Sequence, residues 1–147
     1  MHVVELVGRI MLAATFLITP YGVIASAARV AGSPAMKGSA TLSRLPLGAR
    51  VLTIRTTCVS AMAGALMIAM GLWPDLGALL VLAFLIPVTF VMHRFWEVEE
   101  WLPRKQKRDA FLANVSMAGG ALVLFAAVNQ SQSLPLALIT HPLIARG

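Results

Sequence analysis

The residues best suited to chemistry lie together in Thr89-Phe90-Val91-Met92-His93-Arg94-Phe95-Trp96, at the end of a long apolar run. An imidazole that titrates near neutrality, a guanidinium and flat aromatic faces at a membrane boundary suit a quinone head group. In that reading His93 is the hydrogen-bond partner or proton relay, and Phe95 and Trp96 are stacking walls. The same residue types also have purely structural uses. Aromatic rings form interfacial belts, Arg94 adds to a topology signal, and a histidine at a helix end caps carbonyls. Both readings stay open on these residues alone.

Other constellations carry less. Glu97, Glu99 and Glu100 are followed closely by Arg104-Lys105-Gln106-Lys107-Arg108, which fits a solvated, internally paired loop better than an acid-base pair or a metal site. His2, His93 and His141 lack ligand spacing, and the single Cys58 has no intrachain partner for a disulfide or a thiolate site. No metal site is expected. The chain has no glycine-rich phosphate loop, no Gly-x-Ser-x-Gly elbow and no CxxC, so hydrolase, kinase, dinucleotide-binding and thioredoxin readings lack support. Arg9 and Arg55 fall near span ends and nothing acidic falls mid-span, which counts against an ion-coupled transporter. A small-solute carrier is further disfavoured by the lack of an internal repeat.

The elements that must position these residues follow from composition. Of 147 residues, 59% are hydrophobic and 12% charged, and the mean hydropathy of +0.82 is far above that of a water-soluble domain. A span needs roughly 20 apolar residues, and four segments approach this: 6–28, 51–72, 76–92 and 110–128. The fold class expected is all-α, an integral membrane four-helix bundle over residues 1–128. Pro20-Tyr21-Gly22 should kink the first span or end its regular part early. Trp73-Pro74-Asp75 reads as a tight turn in which Pro74 ends one helix and Asp75 caps the next. Ser60 with Gly64, and Ser116 with Gly120, are small-xxx-small pairs that permit close helix approach, although such pairs are common in any small-residue span.

The net charge is +6, and most of the twelve Lys and Arg residues are concentrated in two inter-helix segments. One spans 29–50, a loop rich in Gly, Ser, Ala and Pro with scattered Lys and Arg, with room for short surface helices. The other spans 93–109, whose polarity excludes it from hydrocarbon. The turn at Trp73 carries no basic residue, so with four spans the positive-inside rule makes both basic segments cytoplasmic and leaves both termini outside the cell (inner) membrane. Basic charge is thereby read as orientation and not as a nucleic-acid surface. Arg9 opposes the pattern and should pair with Glu5 one turn back or snorkel. The first span lacks a basic cluster ahead of it and is too long for a signal peptide, so a retained helix is expected. Residues 129–147 form a polar break and then an apolar, proline-broken tail, too short to span, that is expected to lie in the interface or dock on a partner.

In their order, these features resemble the DoxX family of small membrane proteins. The resemblance rests on a first helix opened by Gly8-Arg9, on Thr89 to Trp96, similar to the family's aliphatic-Phe-His-x-Phe-Trp helix end, and on Asn114 with Gly119-Gly120, similar to its Asn-x-x-x-x-Gly-Gly helix. It implies a four-helix membrane fold and a redox association. One branch of the family is a membrane subunit of thiosulfate:quinone oxidoreductase, and another resembles an anchor for soluble detoxifying enzymes. It also implies that His93, Phe95, Trp96, Asn114 and Arg9 are the quinone-site candidates. Two departures stand out: Cys58-Val59-Ser60-Ala61-Met62 lacks the acidic residue common in the second helix, and Thr19-Pro20-Tyr21-Gly22 lacks the lysine of the usual Gly-x-x-Lys.

Two functions are thus expected. One is a non-catalytic membrane subunit or anchor of a larger, redox-associated assembly, with protein partners; the departures and the lack of a complete polar constellation favour it. The alternative is the membrane subunit of a quinone-linked oxidoreductase, with its pocket near His93 and Trp96.

Overall fold

The computed structural model describes residues 2–39 and 41–130. These residues form six α-helices: α1 (His2–Ala25), α2 (Ala27–Ala31), α3 (Pro34–Lys37), α4 (Leu47–Met70), α5 (Pro74–Met92) and α6 (Trp101–Gln130). Short 3-10 turns lie at Leu42–Arg44 and Phe95–Glu97, and no strand occurs among the described residues. The four long helices are each long and apolar enough to cross a bilayer, so the protein is an all-α, multi-pass membrane bundle. Exposed Val4, Met11, Ile18 and Tyr21 on α1, with Leu122 and Val123 on α6, form a surface that only lipid can solvate at low cost. The tail expected beyond residue 130, His141 included, lies outside the described residues.

The long helices pack in sequence, α1 on α4, α4 on α5 and α5 on α6, while α1 and α6 touch only sparsely. The tightest crossing is α4 on α5. A Cβ on Gly64 would stand 2.7 Å from the Gly77 carbonyl oxygen, and a Cβ on Gly77 would stand 2.7 Å from that of Gly64. Ala61, Ala65 and Ala78, all fully buried, continue this contact, so close backbone approach is its basis. Gly64 therefore acts as expected, with Gly77 as its unforeseen partner. Ser116 and Gly120 do not: both are exposed, and a Cβ on Gly120 would meet only Leu12 Cδ1, at 3.9 Å. They leave space and make no crossing.

Three boundaries differ from the sequence reading. Helix α1 runs past Pro20 to Ala25, and its break comes at Ser26, whose hydroxyl donates to the Gly22 carbonyl at 2.9 Å. At the α4–α5 turn Gly71 ends α4 in the left-handed region (φ 69°), where glycine carries no Cβ penalty. Pro74 then opens α5 as its first residue, where its missing N–H costs nothing, with Trp73 at the cap position. Asp75 is a fully buried member of the first turn and not the cap. Helix α6 begins at Trp101, so the basic run is helical and not a loop. Polarity keeps that run out of hydrocarbon but does not oppose helix formation, for which Lys, Arg and Gln are well suited. With 30 residues at about 1.5 Å each, α6 is near 45 Å long, well beyond the hydrocarbon thickness of about 30 Å.

The segment from Ala27 to Pro46 is more than a surface loop. Ala27, Ala31 and Met36 are buried, because α2 packs on α4 and α3 packs against α5. Ser33 caps α3 by accepting from the Met36 N–H at 3.5 Å. Arg50 ties the loop's return by donating to the Leu45 and Ser43 carbonyls at 2.9 and 2.8 Å. The two basic segments meet at one end of the bundle, where Arg94 Nη1 donates to the Gly38 carbonyl at 3.2 Å and to Glu97 Oε1 at 3.0 Å.

Candidate functional site

The four long helices and the folded-back segment line a partly open cavity of about 370 Å³, within the size range of small-molecule sites. Its walls are mostly carbon: Phe16 and Val23 from α1, Phe84 and Val88 from α5, Ile54 from α4, and Met36 as a floor from α3. Phe16 and Phe84 meet edge to face at 6.4 Å and 89°, fixing the inner wall. Thr53 and Thr57 also line it, but their hydroxyls donate back into α4, to the Ala49 and Thr53 carbonyls at 2.9 and 2.8 Å. They therefore turn methyl groups and oxygen lone pairs, and not free O–H donors, to the space.

Two polar side chains give the cavity direction. Asn114 on α6 donates through Nδ2 to Thr89 Oγ1 on α5 at 3.0 Å, a hydrogen bond that joins the two helices beside the cavity. His93 ends α5, where its backbone N–H donates to the Thr89 carbonyl at 3.2 Å. Its side chain lines the cavity and has no hydrogen-bond partner among the described residues. One hydrogen-bonding imidazole thus terminates an otherwise apolar chamber. Cys58, the lone thiol, is 1% exposed and also faces this space.

The expected site residues do not form one site. His93 and Asn114 come together in the cavity, whereas Phe95 and Trp96 do not line it. Those two belong to an aromatic cluster on the outside of α5 and α6: Phe95 lies 5.2 Å from Trp96 and 5.5 Å from Phe111, and Phe90 lies 5.8 Å from Phe111, all edge to face. They therefore clamp the start of α6 to the end of α5 and are not stacking walls of the pocket. Glu97 pairs with Arg94, and Lys105 with Asp109 at 3.4 Å, but Glu99 and Glu100 make no ion pair among the described residues. No group of three His, Cys, Asp or Glu side chains converges there either.

Arg9 lines a second space, a cleft of about 550 Å³ between α1 and α6 that also takes in Glu5, Gly8, Met11, Ser116 and Val123. It neither pairs with Glu5 nor reaches water: it is 2% exposed, and Nε, Nη1 and Nη2 all lack a hydrogen-bond partner among the described residues. Cleft and cavity share a wall at Thr15 and Met117. The cavity's threonines had a legible signal: Thr15 with Thr19 and Thr53 with Thr57 are i,i+4 polar pairs within apolar spans. The contributions of Val30, Met36 and Leu42 had none, since the helices that carry them are four or five residues long or mere turns.

No family model, no curated protein and no solved structure matches this chain.

Proposed function

We propose that this protein is a DoxX-like membrane subunit that seats a quinone between its helices within a larger redox assembly, the electrons being supplied by a partner protein. The observation that carries this is the apolar, partly open cavity that reaches the imidazole of His93, which has no hydrogen-bond partner among the described residues. A quinone is a flat, apolar ring whose carbonyl oxygens accept hydrogen bonds, and binding one needs a carbon-lined slot with a donor at its end. His93 supplies the donor and Asn114 the amide next to it. Helix α6, which buries only Ala121 and Val128 of its 30 residues, offers a broad face to a partner, as the anchor reading requires. The basic segments share one end of the bundle, and by the positive-inside rule that end faces the cytoplasm of a cell (inner) membrane, with the Trp73 turn outside.

The test is titration of a short-chain quinone into the purified protein in nanodiscs. Saturable one-site binding is expected, weakened about 2- to 13-fold by His93→Ala, the net value of one hydrogen bond. Val88→Trp, which fills the chamber, should abolish it. Binding that neither substitution changes would remove this reading.

A further inference from the structure

The cleft between α1 and α6 has no part in the quinone seat, and it contains an electrostatic oddity. Glu5 and Arg9 stand one helical turn apart, the spacing at which opposite charges normally pair. Here they do not pair within 4.0 Å: Glu5 Oε1 and all three guanidinium nitrogens are buried without a hydrogen-bond partner among the described residues. Both line the same cleft. The Arg9 charge is out of water and unanswered among the described residues, and one oxygen of the partly exposed Glu5 carboxylate is buried beside it without a partner there, which is unfavourable unless something else supplies the counter-charge.

The cleft's shape limits what that can be. Nothing lies within 4 Å of where a Cβ on Gly8 would stand, and Gly120 and Ser116 keep the facing side of α6 low. Side chains on a helix lean toward its N-terminus, so the Arg9 guanidinium rises toward the level of Glu5, near the end of the span where lipid phosphates lie. Met11 and Val123, which line the cleft, are each 69% exposed to the bilayer and form its rim. We infer that this cleft holds the head group of an aminophospholipid, with its phosphate on Arg9, its ammonium on Glu5 and its acyl chains along the α1 and α6 rim. A guanidinium matches phosphate oxygens in bidentate fashion, and an ethanolamine spacer separates phosphate from ammonium by about one helical turn. An acidic lipid such as phosphatidylglycerol would answer Arg9 but leave Glu5 unpaired.

The inference is tested by native mass spectrometry of the detergent-purified full chain with phosphatidylethanolamine, phosphatidylglycerol or soluble phosphoethanolamine. One phosphatidylethanolamine is expected to bind at least about tenfold more tightly than phosphatidylglycerol, and Arg9→Gln and Glu5→Gln should each weaken it about tenfold or more. Glu5→Gln should leave phosphatidylglycerol binding no weaker. Protection of Cys58 from maleimide, compared with the unsubstituted protein, reports that each variant is folded; if Arg9→Gln fails this, Glu5→Gln and the charge-retaining Arg9→Lys carry the test. Equal affinity for the two lipids, or no effect of Glu5→Gln on phosphatidylethanolamine, would overturn the inference in favour of a plain anion site. Competition by phosphoethanolamine at concentrations matching the lipid would overturn the lipid as its source.

Discussion

The Gly64–Gly77 crossing invites the sharpest perturbation, because the same substitution can be made where space exists and where it does not. In Gly64→Ala the new Cβ sits 2.7 Å from the Gly77 carbonyl oxygen and 2.9 Å from Leu80 Cβ, and ordinary contact begins near 3.4 Å. Neither neighbour is the far end of a flexible side chain, so the helices themselves must part by roughly 0.7 Å. A gap of that size forfeits about a quarter to a half of each contact's attraction, and it opens along a seam that includes Ala61, Ala65, Ile68, Ala78 and Val81, all fully buried. We expect a loss of about 2–3 kcal/mol, toward the upper part of the usual range for overpacking. Gly119→Ala adds the same methyl to the exposed face of α6, where nothing lies within 4 Å, and should stabilise by about 0.5–1 kcal/mol through helix propensity. In Gly64→Ala/Gly77→Ala one separation relieves both clashes, so the double variant should cost clearly less than the sum of the singles. The assay is unfolding in mixed micelles followed by helicity. If Gly64→Ala proved as mild as Gly119→Ala, or the two α4–α5 substitutions simply added, close approach would not be what holds that crossing.

Three more outcomes are expected. Thr89→Val alone removes the acceptor of the Asn114 amide at 3.0 Å and should destabilise by about 1–3 kcal/mol, whereas Thr89→Val/Asn114→Leu should recover part of that loss; the same unfolding measurement decides. Arg94→Ala removes the hydrogen bond to the Gly38 carbonyl that holds the α3 segment against the bundle end, and should raise the rate at which maleimide reaches Cys58 several-fold with the long helices intact by circular dichroism. An unchanged rate would mean that Met36 and its neighbours do not close the cavity. Cysteines placed at Arg44 and at Trp73 should label from opposite faces of the membrane, with Arg44 on the cytoplasmic face; labelling from one face, or in the reverse sense, would refute the orientation.

Much of the architecture could be read from residue order, because hydropathy over about 20 residues reports the solvent directly. What it could not report was helicity beyond the apolar stretch: the charge of residues 101–109 argues against hydrocarbon but says nothing against a helix, and they form the first turns of α6. The turn at Trp73 was legible as a turn, but proline there was assigned to stopping a helix when its lack of an N–H suits it to starting one; the stop is the glycine at 71. The candidate site was half legible. His93, singled out as a titratable group at a helix end, and Asn114, singled out by the family resemblance, both line the cavity, whereas Phe95 and Trp96, singled out as flat stacking faces, pack elsewhere. Sequence spacing tells which residues share a face and not which face closes a chamber. The floor from Met36 depended on four-residue helices stable only through tertiary contact, and the isolation of Arg9 from Glu5 depended on side-chain directions that i,i+4 spacing leaves undetermined.

The sparse contact between α1 and α6 has a consequence for how any guest arrives. A bundle closed on three seams and loose on the fourth can exchange with the surrounding leaflet sideways, so a lipophilic molecule need never cross water to enter. Its arrival rate is then set by lateral diffusion, and its occupancy by its mole fraction in the lipid and not by its concentration in buffer. Two preparations with the same aqueous dose but different lipid content would show different apparent affinities for one unchanged site.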